Sequence, residues 1–403
     1  MKSERETARW PGTIRPELEI LLCSASAGKN SNARDRVREL LRSGLNWDKI
    51  VSSATYHRMT PVLYDCINSS ALDLVSEEQL QALRGEVRAS GANTLPLVKE
   101  LLRLNQQFEA ARIPAIPYKG PVLATIAYGN FACRGYADLD FVLPQRFIPD
   151  AIAMLQSAGY TSQFDPREAH AGEYDFAPGQ YMFHAVHEDI LLELHTERTL
   201  RYYPTPVDFG ELTDRLIRVE IGGQSMSTFS VEDTLVMLCV HGAKHFWELL
   251  FWVFDIAQLI KAMRVDWTLL LKIAEKMESR RVLLLGLYLA HELFEASLPD
   301  FVLRAATGDS QVPRLATQVL EQYDGASSAR PGVWSRTSFR LRSRDRFWKG
   351  LRHTVRLGIS PTESDREMVR LPRLLAPLYI FVRPWRLLRE YGWSSKHNSR
   401  STR

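Results

Sequence analysis

In "RGYADLDFVL", residues 134–143, two acids open a run, Phe141-Val142-Leu143, that belongs in a core. Asp138 and Asp140 are two residues apart, so on a strand both carboxylates leave from one face and Leu139 from the other. Adjacent carboxylates repel unless a cation sits between them. The alternation Leu139, Phe141, Leu143 gives the opposite face to the core, and the pair then reads as a metal site on a sheet rim. Oxygen-only ligands suit Mg²⁺ or Mn²⁺ better than zinc. A third acid follows the same logic. In "ILLELH", residues 190–195, Glu193 is a charge in an apolar strand and shares its face with Leu191 and His195. If this strand lies beside the first, three carboxylates converge, as needed to hold two divalent ions for phosphoryl or nucleotidyl transfer. A rim salt bridge is the alternative for Glu193. His195 is open to substrate contact, to a base role, or to a structural place beside the ligands, which is the reading favoured here.

Upstream, "YKGP" spans residues 118–121. A glycine at a strand–helix junction lets a phosphate approach the backbone, and the helix start supplies N–H groups and a favourable dipole. Lys119 adds a point charge, and Arg134 could grip a second phosphate bidentately. Downstream, His241 and His245 are four residues apart and share a helix face. Gly242 stands where a zinc protease has its glutamate, so this is not that motif. The segment with Trp247 could floor an acceptor pocket; a helix–helix core is the alternative.

These groups need elements to carry them. Residues 1–112 have helical spacing, and Ser76 before Glu77, Glu78 and Gln79 is a helix start. From Ile113 the pattern changes to a short strand ending in Gly120, a helix "PVLATIAYG", the strand "LDFVLP", a helix closed by Gly159, and strands "QYMFHAV" and "DILLELHTE" joined around His187-Glu188-Asp189. From Ser230, "VEDTLVMLCVHGAKHFWELLFWVFDIAQLIKAM" and "WTLLLKIAEKMESRRVLLLGLYLAHELF" read as strong amphipathic helices. The expected class is α+β: a small mixed-sheet core at 113–228, helical domains at 1–112 and 229–330, and a basic helical segment at 331–403.

The totals set limits. With 403 residues, 45% hydrophobic and 24% charged, the chain can bury two or three cores. Residues 331–403 hold 17 Lys and Arg against 5 Asp and Glu, although the whole chain is only +4. Such an end suits an anionic partner or a solvated helical face. Its apolar stretches "LLAPLYIFV" and "PWRLL" suggest docking onto the rest of the chain. Cys23, Cys66, Cys133 and Cys239 show no CxxC spacing, which argues against a zinc site or disulfide framework and fits a reducing compartment. No signal peptide and no apolar run of transmembrane length is evident, so a cytoplasmic location is expected.

The motifs together resemble the nucleotidyltransferase superfamily with the DNA polymerase beta-like fold, and more closely the bacterial group known as uncharacterised nucleotidyltransferase. The matching stretches are "IPYKGPVLATIAYG", "RGYADLDFVL", "LLELH" and "LCVHGAKHFWELLFWVFDIAQL"; the resemblance also reaches "HRMTPVLYDCI" near the start and "PTESDREMVRLP" and "YIFVRPWRLLREYG" near the end, so it is expected to cover nearly the whole chain. Pro121 replaces the small residue usual after the turn glycine, and Lys119 is expected to compensate for the missing N–H. The resemblance implies Mg²⁺- or Mn²⁺-dependent transfer of a nucleoside monophosphate from an NTP, such as ATP, to a hydroxyl. Asp138, Asp140 and Glu193 would be the catalytic and metal-binding acids. Lys119, Gly120 and Arg134 would hold the triphosphate, and His195, His241, His245 and Trp247 would line the acceptor pocket. A small-molecule or peptide acceptor is expected, since no RNA-binding motif is present. Two alternatives stay open: sugar transfer from a nucleoside-diphosphate sugar at the same metal site, and a non-catalytic, antitoxin-like nucleotide-binding module.

Overall fold

The structure is a computed structural model, and it describes residues 14–28, 30–92, 94–131, 134–162, 180–186, 190–196, 208–323, 333–346, 348, 351, 368–369 and 378–392. The turn at 187–189, Cys133 and most of the basic segment 331–403, including most of "PTESDREMVRLP", lie outside these residues. The chain opens with helices α1 (Pro16–Ser26), α2 (Ser31–Arg42), α3 (Trp47–Tyr56), α4 (Thr60–Ser70), α5 (Glu77–Gly91) and α6 (Thr94–Ala110). Ser76 caps α5 as expected, with Gln79 returning the bond in a full capping box.

Next come β1 (Ile116–Pro117), α7 (Pro121–Tyr128), β2 (Asp138–Val142), α8 (Ile148–Ser157), β3 (Tyr160–Ser162), β4 (Gln180–Ala185) and β5 (Leu191–His195). Their sheet has the order β1-β2-β5-β4-β3, parallel only between β2 and β5. After α9 (Phe209–Asp214), β6 (Ile217–Ile221) and β7 (Gln224–Thr228) form a separate hairpin. Gly222 and Gly223, both at positive φ, make its two-residue turn. The alternation Ile217, Val219, Ile221 before two glycines is the sequence signal for it.

The remaining helices are α10 (Val231–Lys244), α11 (Leu250–Ala262), α12 (Trp267–Lys276), α13 (Arg280–Phe294), α14 (Asp300–Gly308), α15 (Gln311–Tyr323) and α16 (Val333–Arg342), and a further helix covers Tyr379–Gly392. Each of the two long stretches expected as amphipathic helices is split in two, and positive φ marks the breaks: Phe246 and Trp247 in the first, Glu278 in the second. α10 is also buried on nearly all sides rather than amphipathic. Among the described residues, no helix is long and apolar enough to cross a membrane. Cys23, Cys66 and Cys239 are free thiols.

Two apolar clusters flank the large sheet. Leu139, Phe141, Leu143, Leu192 and Leu194 face one way and pack with Leu97, Leu101 and Phe108 of α6 and Ile152 and Leu155 of α8. On the other face Val142 joins Tyr118, Phe229 and the helices α10 to α13. Helices α1 to α5 enter that second cluster too, so helices on both sides of the α/β unit share one core. The register of β5 is held by this division. A slip of one residue would exchange Leu192 and Leu194 for Glu193 and His195, forfeiting about 1.5–3 kcal/mol for each large side chain exposed.

One buried contact ties the early helices to the late ones. His57, just past α3, is 5% exposed. Its Nδ1 accepts the N–H of Leu250, the first residue of α11, at 3.3 Å. Burial, helped by Arg15, pushes this imidazole down from 6.5 to about 4. The unfolded chain therefore binds a proton that the folded chain refuses. His57 contributes stability fully above pH 6.5, and that contribution is lost as pH falls toward 4. Urea midpoints measured between pH 7 and pH 4 should fall, and His57→Gln should flatten part of that slope.

Candidate active site

Parallel pairing of β2 with β5 sets Asp140 directly opposite Glu193, Asp138 opposite Leu191 and Val142 opposite His195. Residues paired across strands share a face, so Asp138, Asp140, Glu193 and His195 all point away from the leucine side. They open into a cavity of ≈ 250 Å³ that also takes in Lys119, Gly120, Gln180, Lys244 and the α10 histidines. Asp140 and Glu193 meet as expected, and Leu192 and Leu194 are in the core behind them.

His195 stands closer to the acids than an acceptor-pocket role requires. Its Nε2 lies 2.8 Å from Asp140 Oδ1 and 3.3 Å from Glu193 Oε2. Asp140, Glu193 and His195 each offer a ligand atom within 4.8 Å of the others. Two carboxylates and an imidazole at this spacing fit a divalent cation, with Asp138 beside them on the same face. Lys119 Nζ reaches Asp140 Oδ1 at 3.2 Å.

The charges respond to this crowding. Burial pushes Asp138 up to about 6, and the Asp140 carboxylate adds to the effect. Burial acts on Asp140 in the same sense, but Lys119 and His195 outweigh it and hold that carboxyl well below the usual range. Burial likewise disfavours the charged forms of Lys119 and His195; Asp140 reverses this for Lys119, and Asp140 with Glu193 for His195, so both are raised. One acid is thus satisfied by internal cations while its neighbour carries a charge that Lys119 and Arg134 offset only in part. That imbalance is what a bound cation relieves.

The turn before α7 is built for close approach. Gly120 has φ 55° and ψ −127°, and a Cβ there would sit 3.2 Å from the Asp138 carbonyl oxygen. Only glycine fits both demands. Pro121 has no N–H, and the Val122 N–H is taken by the Lys119 carbonyl. The helix start therefore offers fewer donors than expected, and the Lys119 ammonium is the charged group at this turn.

Arg134 corrects an expectation. It is 7% exposed and lines the cavity, but its fork is already used: Nε and Nη2 donate to the two oxygens of Asp255 at 2.9 and 2.8 Å. Phe251 covers the guanidinium, and Tyr128 Oη donates to the same carboxylate at 2.8 Å. A guanidinium committed in this way has lost the geometry for a bidentate phosphate grip. Arg134 instead fastens the loop before β2 to α11.

Trp247 is the second correction. It is fully buried and does not line the cavity. Its ring fills space left by two glycines: a Cβ on Gly242 would come within 2.5 Å of it, and one on Gly286 within 2.9 Å. The glycine between the histidines thus makes room for a core tryptophan, and Trp252 is the indole on the cavity wall. His241 and His245 do reach the cavity. Sequence reasoning missed Lys244, Gln180 and Arg58. The spacing of 241, 244 and 245 on one helix could have revealed Lys244; Asp255 as the partner of Arg134, 121 residues away, had no local signal.

The family described as uncharacterised nucleotidyltransferase has a sequence model that matches residues 43–295 of this chain. No curated protein and no solved structure matches it.

Two stability measurements check this account. Gly242→Ala should cost about 1–3 kcal/mol by driving a methyl into the Trp247 ring. Arg134→Met should cost about 3–5 kcal/mol by stranding Asp255, and a double variant that also replaces Asp255 with Leu should recover much of the loss. Urea denaturation of the single and double variants gives both values.

Proposed function

Because the chain belongs to the uncharacterised nucleotidyltransferase family, we propose that it moves a nucleoside monophosphate from an NTP to a hydroxyl of a small-molecule or peptide acceptor, with Mg²⁺ or Mn²⁺. The observation that carries this reading is the register of Asp140 against Glu193 across two parallel strands, with Asp138 on the same face and Lys119 at hand. Asp138, Asp140 and Glu193, joined by His195, are the residues that would hold the metal. A divalent ion there supplies charge neutralisation on phosphate and a lower pKa for a bound hydroxyl.

The chain's own groups divide the remaining work. The Gly120 turn lets the phosphates come close to the backbone. Lys119, now spent on Asp140, becomes the cation for the phosphate oxygens once that carboxylate is otherwise neutralised. The acceptor oxygen forms a bond to the α-phosphorus as the bond from that phosphorus to the bridging oxygen breaks. The hydroxyl proton passes to Glu193 or to water, and pyrophosphate leaves. The buried walls around Asp140 and His195 keep water from competing.

Asp138→Asn is the sharpest test, because Asp138 carries the charge that burial and Asp140 disfavour. The variant should lose transfer while its urea midpoint stays level or rises. Glu193→Gln should lose about 10²–10⁴-fold in rate. Both are read by incubating the full chain with each NTP, Mg²⁺ and candidate acceptors and weighing the products. Full activity in Asp138→Asn, or hexose rather than nucleotide adducts, would sink the proposal.

A further inference from the structure

His241, Lys244, His245 and Trp252 line the same cavity as the carboxylates, and the reaction above gives them no task. Lys244 on α10 and the capping residue His245 lie three and four residues beyond His241, so they share a face, and all three line the cavity. Lys244, half-buried, differs from the other cations nearby. Lys119 has Asp140 and Arg134 has Asp255, each as an ion pair. Lys244 Nζ donates to the neutral amide oxygen of Gln180, at 3.0 Å, and forms no ion pair among the described residues. Arg58, on the turn after α3, also lines the cavity with no acidic partner among the described residues. His241 and His245 sit 4.8 Å apart, centroid to centroid, and each rests on Trp252 at 5.2 and 5.3 Å. Neither imidazole makes a hydrogen bond among the described residues. Burial and the neighbouring Lys119 push the Lys244 ammonium down, and burial pushes both histidines down, His245 to about 4.

A cation held in a wall without a counter-charge is costly unless an anion arrives. Its position says which anion. Gln180 holds Lys244 with its oxygen and donates its amide nitrogen to Glu193 Oε2 at 2.7 Å. Lys244 is therefore two hydrogen bonds from the acid on the acceptor side, whereas Lys119 and Gly120 stand at the Asp140 end where the donor phosphates belong. Resting on the transferase reading, we propose that Lys244, Arg58, His241 and His245 form a subsite for an anionic group of the acceptor, a phosphate or a carboxylate carried close to its nucleophilic hydroxyl. The lysine supplies charge, the imidazoles supply hydrogen bonds, and Trp252 closes the side. Acceptors with a neutral or cationic group at that place leave Lys244 uncompensated and are rejected.

The test is calorimetric titration of the full chain with inorganic phosphate and, separately, with acetate. Each is run with and without Mg²⁺ and a non-hydrolysable ATP analogue. The expected result is binding of at least one anion, with the tighter arm naming the acceptor's group. Lys244→Gln should weaken that binding by about tenfold or more, Lys244→Arg should keep it, and both should bind the ATP analogue as the parent does. The proposal is overturned if neither anion binds, or if Lys244→Gln leaves anion binding unchanged. It is also overturned if Lys244→Gln instead loses affinity for the ATP analogue, which assigns the lysine to the donor. A chain that binds no ATP analogue yet shows Lys244-dependent anion binding keeps the subsite and loses the transferase reading, so the two failures are distinct.

Discussion

The parallel pairing of β2 with β5 forces like charges together, and the arrangement of the site follows from that. Backbone hydrogen bonds and the leucine layer behind the sheet fix the register, and the register sets Asp140 against Glu193 whether or not the carboxylates favour it. The protein offsets the repulsion unevenly. Asp140 receives Lys119 and His195; Asp138 receives too little and is raised to about 6. A site in this state has stability withheld from it, and binding of a cation would return it.

The helical wall opposite depends on the same economy of charge. Arg134 and Asp255 neutralise each other at the edge of the cavity, with Phe251 and Tyr128 completing the enclosure. Because that pair is closed, its guanidinium is not free to take a ligand, and Lys244 and Arg58 face the cavity without an ion pair among the described residues. Gly242 and Gly286 admit Trp247 behind α10, which keeps the helix in place while its other face carries His241, Lys244 and His245.

The parts of this structure written in local pattern were legible in the sequence. The two-residue alternation of Leu139, Phe141 and Leu143 against Asp138 and Asp140 marked the strand and its polar face, and the same reading of residues 190–195 placed Glu193 and His195 correctly. The Ser76 capping box and the glycines that end α7 and α8 were equally plain. What failed to show was long-range partnership. A bidentate-ready Arg134 looks the same in sequence whether it meets a phosphate or Asp255, because the deciding contact spans 121 residues. Trp247 was misplaced for a related reason: helical spacing ran through 245–249, and only tertiary packing against Gly242 and Gly286 shows why the helix breaks there. Lys244 carries no signal of its own, because a lysine in the last turn of a helix reads as a solvated partner of the helix dipole.

The β2–β5 pairing also has a consequence for how the molecule comes into being. His195 and Asp140 are 55 residues apart in the chain, and β5 slots between β2 and β4 rather than at an edge. The chain must complete α8, β3 and β4 before the strand that finishes the carboxylate group can enter. Closing a loop of that length costs entropy that only the contacts made afterwards offset, so this pairing depends on the strands around it. His57 waits longer, for Leu250, 193 residues downstream. A chain that has not yet reached β5 therefore lacks Glu193 and His195, and the acid cluster is assembled only once that strand has entered the sheet.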